Sequence, residues 1–340
     1  MKVWRIHAPN DIREEEMMLP VGEHCVKIKV MYTAFSLTDN LILSGKMQVN
    51  YPVVPCRTCI GMVSEVGVGV KTLQRGDIVA VKPFSPCGTC LSCKQNVTYN
   101  CENKITYGVN EDGFLRDFAV VSASDTIKLP ESIGASMDAV FLEHIDMCIS
   151  AISKLDIDKG QYLVIMGATD MGLILAQIAM YYQAVPIVVD VRQDFLDKAK
   201  DLDIYYTINS METDASKKIF SITGGRMGDA VAYMTAATLP ITQAFDFVKK
   251  SGKAVIVGWQ DTASDLSYPY AQIVNKQLEV HGVSGSNNNY FSAVNMLANK
   301  AVRVKGLIGD VIETKDIPSF IKASDNKDKY FKTIVKCSDF

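Results

Sequence analysis

The chain has 340 residues, 48% of them hydrophobic and 21% charged, with a net charge of −3 and nine cysteines. That length holds two domains with a core each, and the mild acidity argues against nucleic acid or an anionic membrane as partner. No apolar run reaches the length of a bilayer span, the first residues lack the apolar core of a secretory signal, and a cytoplasmic location is expected.

The first 150 residues read mainly as short strands. Val26, Ile28 and Val30 alternate with Lys27 and Lys29, the pattern of a half-buried strand. Glycine-punctuated runs follow at Gly61–Val66 and Gly76–Pro83. Strands at this spacing, with glycine and proline at the corners, predict a small, coiled, barrel-like sheet. Cys56 and Cys59 have a ligand-like spacing, and three readings of them stand. One is a metal site shared with Glu143 and His144, a second is a redox-active pair, for which nothing nearby marks either thiol as activated, and the third, preferred, is a pair of buried and inert thiols. Glu143 and His144 are consecutive, so in a regular segment their side chains point in different directions.

Cys87, Cys90, Cys93 and Cys101 follow the spacing C-x2-C-x2-C-x7-C in a polar loop. Such a loop has no core of its own, and four thiolates around a tetrahedral zinc would staple it. Two disulfides suit the spacing poorly, and the five other cysteines follow no framework of an oxidising compartment. A fully ligated ion leaves no position for substrate, so this zinc is read as structural.

From about Leu155 strands alternate with helices, the rhythm of a doubly wound parallel sheet. Tyr162–Met166 is a buried strand, Leu173–Tyr182 a helix, Ile187–Asp190 the next strand, and a helix follows through Leu196 and Ala199. Asp229–Met234 and Lys253–Gly258 are further strands. Between them a helix is expected, with Thr238 as N-cap, Pro240 early and Gly252 at its end. The polar stretch Ser284–Asn289 reads as a turn or domain crossing, 290–300 as helix, and the remainder as a return to the first domain.

Gly167-Ala-Thr169-Asp170-Met171-Gly172 joins the first of these strands to its helix, and Asp190 closes the second strand. This is the dinucleotide arrangement, with phosphates at the helix start and the acid on a ribose hydroxyl. Asp190 would repel a 2′-phosphate, which favours NAD over NADP; Arg192, two positions on, is the residue that argues the other way. Asp170 has two readings, a helix cap turned from the ligand or a charge set against the phosphates.

The cysteine spacing, the chain length, the stretch Asp112-Gly113 through Phe118 and the Lys327–Val335 tail together resemble the medium-chain, zinc-type alcohol dehydrogenase family, nearest its polyol and sugar-acid branch. The resemblance covers the chain end to end. It implies an α/β fold: a GroES-like β-rich catalytic domain over residues 1–150 and 284–340, with a zinc lobe at about 84–104, and a Rossmann dinucleotide-binding domain over 151–283. It also implies one structural zinc, NAD(H), a small polyol or carbonyl substrate, and a homodimer or homotetramer. In that family the usual glycine stands where this chain has Thr169.

The family holds its catalytic metal with a Cys-x-Ser/Thr-Asp segment, a Gly-His-Glu-x-x-Gly segment and a later Glu or Cys. Here the first reads Ser36-Leu37-Thr38-Asp39 and the second Cys56-Arg57-Thr58-Cys59-Ile60-Gly61; the third is kept as Glu143. A serine hydroxyl is a poor zinc ligand and arginine stays protonated, so catalytic zinc is not expected. Arg57 is expected where the ion would sit, paired with Glu143 and with Asp39. Thr38 occupies the position of the family's proton relay. The leading reading is an NAD-linked oxidoreductase of a polyol, sugar acid or related carbonyl. The alternatives are a non-catalytic nucleotide- or ligand-binding protein, or a zinc-independent reductase of an activated carbonyl or double bond.

Overall fold

The structure is a computed structural model that describes residues 1–234, 239–258, 269–285, 288–323 and 331–338. Contacts divide the chain into two units, Met1–Glu143 with Ile308–Phe340, and His144–Leu307.

The first unit is built on a mostly antiparallel sheet. Its strands run in the order Ile308–Glu313, Lys332–Lys336, Cys25–Phe35, Cys59–Val66, Ile78–Val81 and Thr126–Lys128, with Phe118–Ser122 also paired to Cys25–Phe35. The alternation legible in the sequence is met: Val26, Ile28 and Val30 are fully buried, while Lys27 reaches across the ladder to Glu65 at 2.7 Å. Gly61 lies opposite Val30 where a Cβ would come within 2.3 Å of the Lys29 carbonyl oxygen, so the two strands need glycine there. The C-terminal strand Lys332–Lys336 is antiparallel to Cys25–Phe35 and brings the end of the chain back to this unit.

The second unit carries a six-stranded parallel sheet, ordered Tyr206–Asn209, Val185–Asp190, Tyr162–Met166, Gly228–Met234, Val248–Val257 and Glu279–Val283. Its central strands are near-continuous apolar runs, as a sheet covered on both faces requires; Leu163, Val164, Ile165 and Met166 are all fully buried. Strand order reverses at Tyr162–Met166, which has the next strand of the chain on one side and a later one on the other. That is the switch point at which such sheets bind ligands beyond the carboxyl ends of their strands. The helix Asp170–Tyr181 starts there.

One expected element is corrected. The helix between Thr238 and Gly252 is only Ile241–Ala244, and the strand begins already at Val248. Phe245, Phe247 and Val248 are all buried, and Gly228 N–H bonds the Phe247 carbonyl at 2.9 Å. Apolar burial and sheet pairing therefore override the helical punctuation. Gly252 sits inside the strand beside a bulge, where a Cβ would meet the Asp229 carbonyl oxygen at 2.9 Å. Thr238 lies outside the described residues.

Candidate functional site

In the first unit, Ser36 precedes the short helix Leu37–Leu43, which carries Thr38 and Asp39. Asp39 is fully buried, and its carboxylate is turned onto the backbone. Oδ2 accepts the Ser36 N–H at 2.8 Å and the Ser36 hydroxyl at 2.7 Å, while Oδ1 accepts the Cys56 N–H at 2.7 Å. The acid thus bolts the start of this helix to the Val54–Arg57 loop. The same loop is tied by Asp112 Oδ1 to the Val54 N–H at 3.1 Å, and by the Phe114 N–H to the Cys56 carbonyl at 2.8 Å. Cys56 has φ +70, a left-handed conformation unusual for a side chain with a Cβ, and Gly113 packs against its carbonyl where a Cβ would lie at 2.3 Å.

This tightly held loop aims Arg57. Its Nη2 pairs with Glu143 Oε1, and the two side chains are only 12% and 4% exposed. The expected ion pair to Glu143 is present; the expected share with Asp39 is replaced by the Asp39 bonds to Ser36 and Cys56. A carboxylate that already accepts three donors satisfies itself locally, whereas Glu143 buried beside nothing cationic would tend to protonate. Thr38 is buried next to Asp39. Thr58 is buried too, and among the described residues its hydroxyl has no hydrogen-bond partner.

Lys332 was not singled out by sequence. It is 2% exposed, and its Nζ donates to the Val140 carbonyl at 3.1 Å, just before Glu143. Its strand reads as Lys-Thr-Ile-Val-Lys, in which a lysine passes for the solvated face; burial of both Ile334 and Thr333 is the only hint otherwise.

Cys56 and Cys59 are buried, and burial pushes both thiols up, Cys59 to about 12. They match the inert reading. Glu143 and His144 do point in different directions: His144 lies in the second unit, with Nδ1 at 3.4 Å from Asp170 Oδ2.

The lobe cysteines converge. The four sulfurs of Cys87, Cys90, Cys93 and Cys101 lie within 4.8 Å of one another, and among the described residues they are the one grouping suited to a metal ion. A tetrahedral zinc with Zn–S of about 2.3 Å has sulfur–sulfur edges of about 3.8 Å; Cys87 and Cys93 stand at 4.0 Å and the other edges lie within 4.8 Å, so the four sulfurs would close in on an ion. Backbone N–H groups already point at the sulfurs, from Cys90 to Cys87 at 3.4 Å and from Cys87 to Cys101 at 3.3 Å. The Thr89 hydroxyl and neighbouring N–H groups hold the Cys87 thiol below its ordinary value, which favours the thiolate. By contrast, Ser36, Arg57 and Glu143 do not fit as a zinc donor set. The serine hydroxyl is bonded to Asp39, and the guanidinium already faces the carboxylate.

In the second unit two glycines close the turn between the strand and its helix. Gly167 has φ +107, and a Cβ on Gly172 would fall 1.9 Å from the Gly167 carbonyl oxygen, so helix and strand meet only through glycine. Thr169 is the N-cap, and its hydroxyl accepts the Gly172 N–H at 3.3 Å. Asp170 is the first helical residue; its Oδ1 accepts the Met171 N–H at 2.7 Å. Asp190 is 2% exposed and holds three backbone donors: Ala168 N–H at 2.7 Å, Val191 N–H at 2.7 Å and Arg192 N–H at 3.0 Å. The Arg192 guanidinium is clamped by Asp194, Nε at 3.1 Å and Nη2 at 2.5 Å, and stacks on Phe195. Beside Val191 a cavity of about 610 Å³ opens along the ends of the strands, lined in part by Ser210, Glu212, Asp214, Leu239 and Asp246.

A strand-built unit with a four-thiolate lobe, and a parallel-sheet unit with a glycine turn at its switch point, define the architecture of a zinc-binding, nucleotide-linked dehydrogenase. The profile of the alcohol dehydrogenase GroES-like domain matches residues 22–131, and that of the zinc-binding dehydrogenases matches 171–299. An uncharacterised zinc-type alcohol dehydrogenase-like protein of Haemophilus influenzae is 31% identical over 331 residues, 96% of each chain. A sorbitol dehydrogenase of Halalkalibacterium halodurans is 28% identical over 291 residues, 84% of each chain. A zinc-binding dehydrogenase from Sinorhizobium meliloti, solved bound to NADP, shares the fold with a TM-score of 0.90 at 20% identity, over 99% of each chain. The chain belongs to the zinc-type, medium-chain alcohol dehydrogenase family.

Proposed function

We propose that the protein is an NAD(H)-dependent oxidoreductase of a polyol, sugar acid or related carbonyl compound, with one structural zinc and with Arg57 in the place of a catalytic ion. The buried Arg57–Glu143 pair is the observation that carries this reading. A family pocket that kept its acid has acquired a permanent cation opposite it. The substrate class follows the relatives, among them the sorbitol dehydrogenase.

NAD(H) would accept or supply the hydride. The chain would supply the rest. Arginine has five N–H donors, so the guanidinium can face Glu143 and still hydrogen-bond a substrate oxygen as charge develops on it. Thr38, buried on the Leu37–Leu43 helix, would pass the proton of that oxygen toward solvent. Asp39 is a positioning residue, since it fixes the loop that carries Arg57. NAD is favoured over NADP by chemistry at the second strand end. Asp190 is an acid at the end of the second strand, Arg192 is already clamped by Asp194, and the lining of the adjacent cavity includes Glu212, Asp214 and Asp246.

A second reading, a protein that binds nucleotide or ligand without catalysis, draws on the helix start at Gly167–Gly172. There Thr169 and Asp170 take N–H groups that a phosphate would use. Titration with NADH and NADPH, followed by assay against a panel of polyols and sugar acids, separates the two. NADH binding tighter than NADPH, with turnover that falls by about 10²-fold or more in Arg57→Lys, is expected. Tight NADPH binding would overturn the cofactor assignment, and binding without turnover of any substrate would favour the second reading.

A further inference from the structure

We propose that Asp170 sets the affinity for the dinucleotide, as an anion built into the helix start that receives the pyrophosphate. This rests on the dinucleotide reading above. The site itself is defined by the glycine turn, the sheet's switch point and the cavity beside Val191, the residue after Asp190.

The first N–H groups of an α-helix have no partner within the helix, and a bound phosphate ordinarily takes them. Here the chain has supplied its own acceptors. The Met171 N–H goes to Asp170 Oδ1 at 2.7 Å, and the Gly172 N–H to the Thr169 hydroxyl at 3.3 Å. Asp170 cannot easily swing away, because it is only 6% exposed and Oδ2 faces His144 Nδ1 at 3.4 Å. The helix Leu142–Leu155, which carries His144, adds a second buried acid, Asp146, whose Oδ1 accepts the Asn289 N–H at 2.9 Å. Between the two helices, buried Cys148 donates its thiol to the Met171 carbonyl at 3.4 Å, and its own pKa is pushed up by burial, then by Asp170 and Asp146. A pyrophosphate arriving at this helix meets a fixed like charge and two N–H groups already in use. The dinucleotide is therefore held less tightly than the fold allows, and exchanges readily. The adenosine half is not opposed in this way, since Asp170 is not among the residues that line the cavity beside Val191.

The test is calorimetric titration of the full zinc-loaded chain, wild type and Asp170→Asn, with NADH, ADP and adenosine. Asparagine keeps the shape and an acceptor for the Met171 N–H but removes the charge. NADH and ADP should bind roughly tenfold tighter or more, with adenosine changed less than about twofold, as expected when one like charge leaves a helix start. The gain should shrink as salt is raised. Asp170→Ser should repeat the result, whereas His144→Gln, which leaves the carboxylate in place, should give no tightening. Wild-type binding that is unchanged or weakened by both Asp170 variants overturns the inference alone. So does adenosine tightening as much as ADP, or His144→Gln tightening as much as Asp170→Asn. If neither wild type nor the Asp170 variants bind NADH or ADP, the dinucleotide reading falls and the inference with it.

Discussion

Two polar clusters of the first unit solve the same problem in opposite ways. The lobe at Cys87–Cys101 gathers four thiols, their sulfurs within 4.8 Å of one another. The pocket at Arg57 and Glu143 gathers an acid and closes on a guanidinium that the chain provides. Converging anionic ligands are costly to bury without a positive charge, so each cluster needs one. A metal ion taken from solution would supply it to the lobe; in the pocket Arg57 supplies it. The difference teaches that a buried carboxylate can be met either by an ion drawn from outside or by a cation the chain itself provides, as Arg57 is for Glu143.

Breaking the lobe should have the largest effect. Cys93→Ser removes one of four ligands, and the lobe has little apolar core to fall back on, with Leu91 66% exposed. The expected result is loss of soluble, protease-resistant protein, because metal binding and folding are one event in such lobes. Elemental analysis of the wild type should find one zinc per chain. Two equivalents would show that the Arg57 pocket also takes an ion and would erase the contrast.

Breaking the pocket comes next. Arg57→Ala strands Glu143 and should cost about 3–5 kcal/mol in denaturant unfolding, as for other halved buried pairs. The double variant Arg57→Met with Glu143→Leu sharpens the point. It should recover most of the loss, since a well-packed apolar pair often replaces a buried ion pair at little cost. If the double variant were as unstable as the single one, the loop geometry around Cys56, not the charge pairing, would be what holds the region together.

The smallest effect has the opposite sign. Thr58 stands next to Arg57 with a buried hydroxyl that has no partner among the described residues. Thr58→Val keeps the shape and removes the unmet polar group, and should raise stability by about 1 kcal/mol. A loss of stability there would mean that the hydroxyl is satisfied, for instance by water.

What the sequence disclosed followed how locally each feature is written. The thiol cage was legible because its ligands fall in one short segment with a ligand spacing. Strand Tyr162–Met166, the glycine turn and Asp190 were legible because a parallel sheet writes its period and its turn in adjacent residues. The Arg57–Glu143 pair joins distant segments, and only likeness to a family connected them. The bonds of Asp39 were not legible, because they depend on the path of the Val54–Arg57 loop. That path is fixed from afar by Asp112 and Gly113. The helix ending at Gly252 failed for a related reason. Its proline and glycine fit a helix, but the pairing of Val248 with Gly228 is a tertiary fact. Buried Lys332 left no mark beyond its apolar neighbours.

The guanidinium opposite Glu143 also changes what the cell must provide. A divalent ion in such a pocket has to be acquired, can be withdrawn by a chelator, and competes with copper and nickel, which bind nitrogen and oxygen ligands more strongly than most other divalent metals. Arg57 is made with the chain, one per pocket, and neither exchanges nor deprotonates. On the reading proposed above, with one zinc in the lobe, the charge state of the pocket would be independent of metal supply. Zinc scarcity would then limit how much of the protein is made, not how each finished molecule behaves.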